Sequence, residues 1–150
     1  MELKNLGKLI DFAIAEEKKA ADLYLGLMKK VKDKGSKTML REMAEMEQAH
    51  ERKLKAFKAG KEGAPMAGNV PNLKMAEYMI ENTLSAESGI QDVVLFAIQC
   101  EKKAWQLYSD IAKVYEDAEK KSFMTALASE ELRHKNGLEK AYDDEIFKEN

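Results

Sequence analysis

The side chains best equipped for chemistry in this chain are two histidines and four glutamates. His50 and His134 are the only histidines, and each closes a Glu-x-x-His motif, Glu47–His50 and Glu131–His134. A further glutamate precedes each motif at an identical separation, Glu17 before Glu47 and Glu101 before Glu131. Glu47 and His50 lie in the stretch EMEQAHERKLKAF, which is rich in Glu, Lys, Ala, Leu and Met and has no Gly or Pro, so it reads as helix. Along that helix the apolar seam runs Leu40, Met43, then Leu54 and Phe57. The two seam positions in between are Glu47 and His50, where leucine or isoleucine would be expected.

The other three helical segments carry the same anomaly. Their seams read Leu6, Ile10, Ala13, Glu17, Ala20, Tyr24, Leu27, Val31; then Ile90, Val94, Ala97, Glu101, Ala104, Tyr108, Ile111; then Met124, Leu127, Glu131, His134, Leu138, Ala141. Four carboxylates and two imidazoles thus point at one core. Burying carboxylates together costs several kcal/mol per ion. Protonated histidines would offset two of the four charges, whereas two divalent cations would offset all four and leave neutral imidazoles free to ligate. Mixed carboxylate and imidazole donors suit iron or manganese better than a thiolate-seeking metal. One Glu from each of two helices and Glu-x-x-His from the other two is the dinuclear carboxylate pattern of helical bundles. A buried polar network without metal is the competing reading.

The elements that must position these residues are long helices. Both prolines and three of the eight glycines fall within residues 59–72, AGKEGAPMAGNVPN, which reads as a connection. The 3.6-residue periodicity on either side predicts helices over 3–32, 37–59, 89–115 and 119–142, with a crossover at 60–87 that holds a short helix over 73–81. Gly35 is expected to form a left-handed stop and Ser36 to cap the second helix, while Ser88 and Gln91 have capping-box spacing before the third. Sliding the chain along itself until Asp11 meets Leu95 lays DFAIAEEKKAADLY on LFAIQCEKKAWQLY, Glu47 on Glu131 and His50 on His134. The expected fold is therefore all-α: two duplicated helical hairpins in an antiparallel four-helix bundle with one long crossover, the ferritin-like connectivity, as a single domain over 1–150. Counting ~1.5 Å per residue from the turn of each hairpin puts the six side chains in one layer to within about 6 Å.

At these residues the chain resembles the rubrerythrin and bacterioferritin group of non-haem di-iron proteins. The matching motifs are Glu17-x-x-Ala20-x-x-x-Tyr24, Glu47-x-x-His50, Glu101-x-x-Ala104-x-x-x-Tyr108 and Glu131-x-x-His134. The resemblance implies two iron ions, with Glu17 and Glu101 as terminal ligands, Glu47 and Glu131 as bridges, and His50 and His134 on one metal each. Manganese, or zinc taken up adventitiously, is left open by ligand type. It also implies reduction of hydrogen peroxide or dioxygen in oxidative-stress defence, and a homodimer. The chain departs from the family pattern in three places. One cysteine cannot build a four-cysteine rubredoxin module, so electrons are expected from a separate, rubredoxin-like donor. Ala104 stands where rubrerythrins usually carry an extra Glu, leaving a six-ligand set. Gln48 replaces the methionine that binds haem in bacterioferritin, so no haem is expected. An Fe(II)-oxidising iron-handling protein without a dedicated reductant is the alternative function, and a metal-free interaction bundle a third.

Tyr24 and Tyr108 follow Glu17 and Glu101 by nearly two helical turns, and so share their inward face. They are expected to bond a ligand carboxylate and fix its orientation. Cys100, next to Glu101, has no resolving partner and reads as an inert thiol. Trp105 and the Met39, Met43, Met46 stripe read as packing. A net charge of -2 gives no footprint for nucleic acid. The single cysteine, the absence of a secretory pattern at the start and the lack of an ~18-residue apolar run together predict a cytoplasmic protein.

Overall fold

Four amphipathic segments become four long helices in the computed structural model, which describes residues 3–60, 73–144 and 147. They are α1 (Leu3–Lys30), α2 (Lys34–Gly60), α3 (Ile90–Ala112) and α4 (Ala118–Asp143). Helices pair closely within each hairpin, α1 with α2 and α3 with α4, and α1 also meets α3. No strand occurs among the described residues, and no helix there is long and apolar enough to cross a membrane. The all-α four-helix bundle follows directly from the four seams, whose residues are buried apart from Ala20, Phe57, Ile90, Ala104 and His134, which are partly so. The residues 61–72 of the expected crossover, and most of the tail beyond Asp144, lie outside the described residues.

Two local expectations are corrected. The chain breaks at 31–33 rather than at Gly35, and α2 already includes Gly35, whose backbone is not left-handed. Asp33, not Ser36, is the cap: its carboxylate accepts from the Ser36 amide at 2.7 Å and from the Ser36 hydroxyl at 3.0 Å. A carboxylate at a helix N-terminus meets both the free amides and the positive end of the dipole, so it outcompetes a hydroxyl three residues on. The same device recurs at the matching place in the second hairpin, where Asp117 accepts from the Lys120 amide at 2.9 Å. Before α3 the reciprocal bond comes from Asp92, which accepts from the Gly89 amide at 3.2 Å, while Ser88 accepts from the Ser85 amide within the preceding turn.

The short helix expected over 73–81 is a single 3-10 turn, Met75–Tyr78. Only Tyr78 of that turn is buried, and Met75 and Met79 are exposed. Without a face to bury, the costly helix nucleus does not propagate. Tyr78 ties the turn to α3 by donating to Asp110 at 2.6 Å.

Among the described residues the core divides into two clusters. One gathers Leu6, Ile10, Leu54, Ile111, Tyr115 and Met124; the other gathers Leu27, Leu40, Met43, Val94, Leu138 and Phe147. Between them lies a polar layer.

Candidate metal centre

Each helix delivers one acidic seam residue to this layer, and α2 and α4 each add an imidazole one turn further on. Glu17, Glu47, Glu101 and Glu131 are each at most 2% exposed, and His50 is fully buried. All six residues singled out from the sequence come together here. Their ligand atoms form two groups, Glu17, Glu47, His50 and Glu131, and Glu47, Glu101, Glu131 and His134, with all atoms of a group within 4.8 Å of one another. Glu47 and Glu131 belong to both. Donors bound at ~2 Å to one small cation stand up to about 4 Å apart, so each group needs only a slight contraction to enclose one.

The duplication makes the layer two-fold. His50 Nδ1 lies 2.7 Å from Glu131 and 3.5 Å from Glu17; His134 Nδ1 lies 2.7 Å from Glu47 and 3.7 Å from Glu101. Each imidazole therefore reaches across to the opposite hairpin, with the two ring centres 6.5 Å apart. The tyrosines cross over as well. Tyr24 donates to Glu101 and Tyr108 to Glu17, so each orients the carboxylate of the other hairpin.

The donor set fits a pair of cations on electrostatic grounds. Burial, followed by the charges of Glu101 and Glu17, pushes the Glu47 carboxyl well above its usual range, and burial with the other three carboxylates does the same to Glu131. Burial also acts to raise Glu17, but bonds with Glu47, His50 and Tyr108 outweigh it and leave that group lowered. Without metal, then, the layer must keep protons that cations would replace. Even so, Glu17 Oε2 and Glu101 Oε2 are buried with no hydrogen-bond partner, and a buried carboxylate oxygen in that state is costly unless a cation takes it. Burial and the surrounding carboxylates push both tyrosine hydroxyls well up, so they stay donors.

One participant escapes the sequence reading. Glu130 pairs with Nε2 of His50, on the ring edge away from the layer. The carboxylates of Glu17 and Glu130 raise the His50 pKa against the opposing effect of burial. A carboxylate on the far nitrogen is the arrangement that orients a metal-binding imidazole. Glu130 directly precedes Glu131, which was a signal, but its partner in the repeat is Met46, so the internal comparison hid it.

A cavity of about 260 Å3 lies against the layer, reaching Glu17, Glu47, Glu101 and Glu131 between α1 and α3. Cys100 lines it, and burial followed by Glu16 and Glu101 pushes its thiol up to about 12, so it stays protonated. Trp105 is away from the layer, packed against the core cluster of Tyr108 and Ile111.

Fold and layer together define an all-α four-helix protein built around a buried carboxylate–imidazole cluster. The chain belongs to the rubrerythrin family, whose model matches residues 8–142. Comparison with curated proteins and with solved structures finds no match.

Proposed function

We propose that this chain is a di-iron oxidoreductase that reduces hydrogen peroxide or dioxygen, with electrons from a separate rubredoxin-like donor, in cytoplasmic defence against oxidative stress. The observation that carries the reading is the pair of four-residue ligand groups sharing Glu47 and Glu131, in a member of the rubrerythrin family. Two iron ions held there would supply two electrons to the oxidant. Glu47 and Glu131 span both positions, Glu17 and Glu101 close the ends, and His50 and His134 each present Nδ1 to one position. Tyr24 and Tyr108 keep their protons and hold the terminal carboxylates in place. Apolar clusters pack on either side of the layer.

Ala104 favours a second reading, an Fe(II)-oxidising iron-handling protein, because the cavity wall beside Glu101 carries a methyl group where an additional carboxylate would assist turnover. One experiment separates the two. The chain is loaded anaerobically with Fe(II), freed of loose metal, and mixed with peroxide and a reduced rubredoxin. Two irons per chain, lost in Glu47→Ala, with many peroxides consumed per site, support the oxidoreductase. A single stoichiometric oxidation followed by iron accumulation supports the iron-handling protein instead.

A further inference from the structure

The cavity beside the layer is far larger than hydrogen peroxide or dioxygen requires. It measures about 260 Å3, whereas a water molecule's share of the liquid is ~30 Å3 and an apolar cavity of ~150 Å3 already admits benzene. Its lining divides by chemistry. One end is the four glutamates of the layer, including Glu17 and Glu101, whose Oε2 atoms are buried without partners. The walls are mostly apolar: Phe12 and Leu23 from α1, Phe96 from α3, and Ile80 and Leu84 from the segment that follows the 3-10 turn, although Glu16, Lys19, Asn82 and Lys103 line the cavity too. Ala20 and Ala104, one turn beyond Glu17 and Glu101, also line it, and their small side chains leave the space next to the carboxylates open.

Such a space joins a carboxylate end to largely apolar walls. It suits a molecule with a polar head at the carboxylates and a hydrocarbon group against the phenyl and leucine side chains. Resting on the di-iron reading above, we propose that the oxidant received here is an organic hydroperoxide whose hydrocarbon group has about six to ten carbons, a size scaled from the benzene case. The balance is ROOH + 2 electrons + 2 protons giving ROH and water. The O–O bond breaks; a pair of ferrous ions held by Glu17, Glu47, His50, Glu101, Glu131 and His134 would supply the two electrons, and a one-electron protein donor would restore them. The alcohol leaves by the route the hydroperoxide entered.

The test uses cumene hydroperoxide, hydrogen peroxide, and the product alcohol 2-phenyl-2-propanol. Calorimetry on the zinc-loaded chain, zinc being redox-inert, measures binding of the alcohol without turnover. The Fe(II)-loaded chain with reduced rubredoxin gives kcat/KM for each peroxide. Ala104→Leu fills the cavity, and Leu84→Trp fills it from the other side should the first variant not fold. Expected are one alcohol bound per chain, binding weakened at least tenfold by filling, and a cumene-to-hydrogen-peroxide ratio of kcat/KM that falls at least tenfold in the same variant. Absence of alcohol binding, or binding and ratio unmoved by filling, overturns the proposal. Reduction of hydrogen peroxide with cumene hydroperoxide left intact overturns the substrate assignment alone and leaves the di-iron reading standing. A loaded chain that reduces neither peroxide overturns both.

Discussion

Tyr24 on α1 donates its hydroxyl to Glu101 on α3, and Tyr108 on α3 returns the bond to Glu17 on α1. The exchange couples the two hairpins at the layer where their charges are most crowded. Each hydroxyl is one of few donors that can reach a carboxylate with an otherwise orphaned oxygen. Phenylalanine keeps the ring and removes the donor, so Tyr24→Phe and Tyr108→Phe should each destabilise the metal-free chain by about 1–3 kcal/mol. Urea unfolding should show the loss as a lower midpoint with an unchanged slope.

Stability of the metal-free chain should fall as pH rises above about 4.5. Glu47 and Glu131 titrate well above 4.5 in the folded chain, so the folded state keeps protons that the unfolded chain releases. His50, raised above 6.5, acts with the same sign: its contribution is complete below 6.5 and is lost as pH climbs through the folded value. Glu17, lowered from 4.5, opposes them only on acidification below 4.5. Thermal melts in chelator between pH 5 and pH 8 should therefore give a declining Tm, each kcal/mol being worth ~2–4 °C in a domain of this size. Saturating divalent metal should flatten or reverse the slope, because the cations take the protons' places.

The two metal positions should be unequal. His50 has Glu130 on its outer nitrogen, whereas the repeat puts Met46 at the matching place for His134. Glu130→Gln should weaken one of two binding steps by about 10–100-fold and leave the other within about twofold. Cobalt(II) titration followed by its d–d absorption would resolve the steps; equal weakening of both, or of neither, is the contrary result.

Asp33 and Asp117 are equivalent caps at matching positions of the two hairpins. Alanine at either should lower stability, at Asp117 by about 1 kcal/mol within a range of about 0.5–2. Asp33→Ala should be the more damaging, since Asp33 also bonds the hydroxyl of Ser36, which is itself buried. Chemical denaturation of the two single variants checks both size and order.

Most of the layer was legible because a polar residue on an apolar seam is conspicuous, and because the repeat supplied each anomaly twice. Glu17, Glu47, His50, Glu101, Glu131 and His134 were all visible in that way. Glu130 was not, since it sits off the seam and breaks the repeat. The direction of the tyrosine bonds was also hidden: spacing places Tyr24 on the same face as Glu17 but cannot say that its hydroxyl crosses to Glu101. The same limit applied to the caps, where Ser36 and Ser88 had suitable chemistry and Asp33 and Asp92 were better placed. The 3-10 turn at Met75–Tyr78 fell short of the expected helix because its sequence pattern offered more apolar positions than the bundle had room to cover.

Each group of four ligands borrows from both hairpins: Glu17, Glu47 and His50 need Glu131, and Glu101, Glu131 and His134 need Glu47. A hairpin by itself is an unfinished vessel, yet two copies of either one, facing each other, contain the full complement of donors. The two halves are not identical, and Glu130 against Met46 is one such difference. Metal bound in this layer would act as a clasp between halves that are otherwise most closely packed within themselves, so withdrawing it should loosen the seam between the halves before it loosens either half.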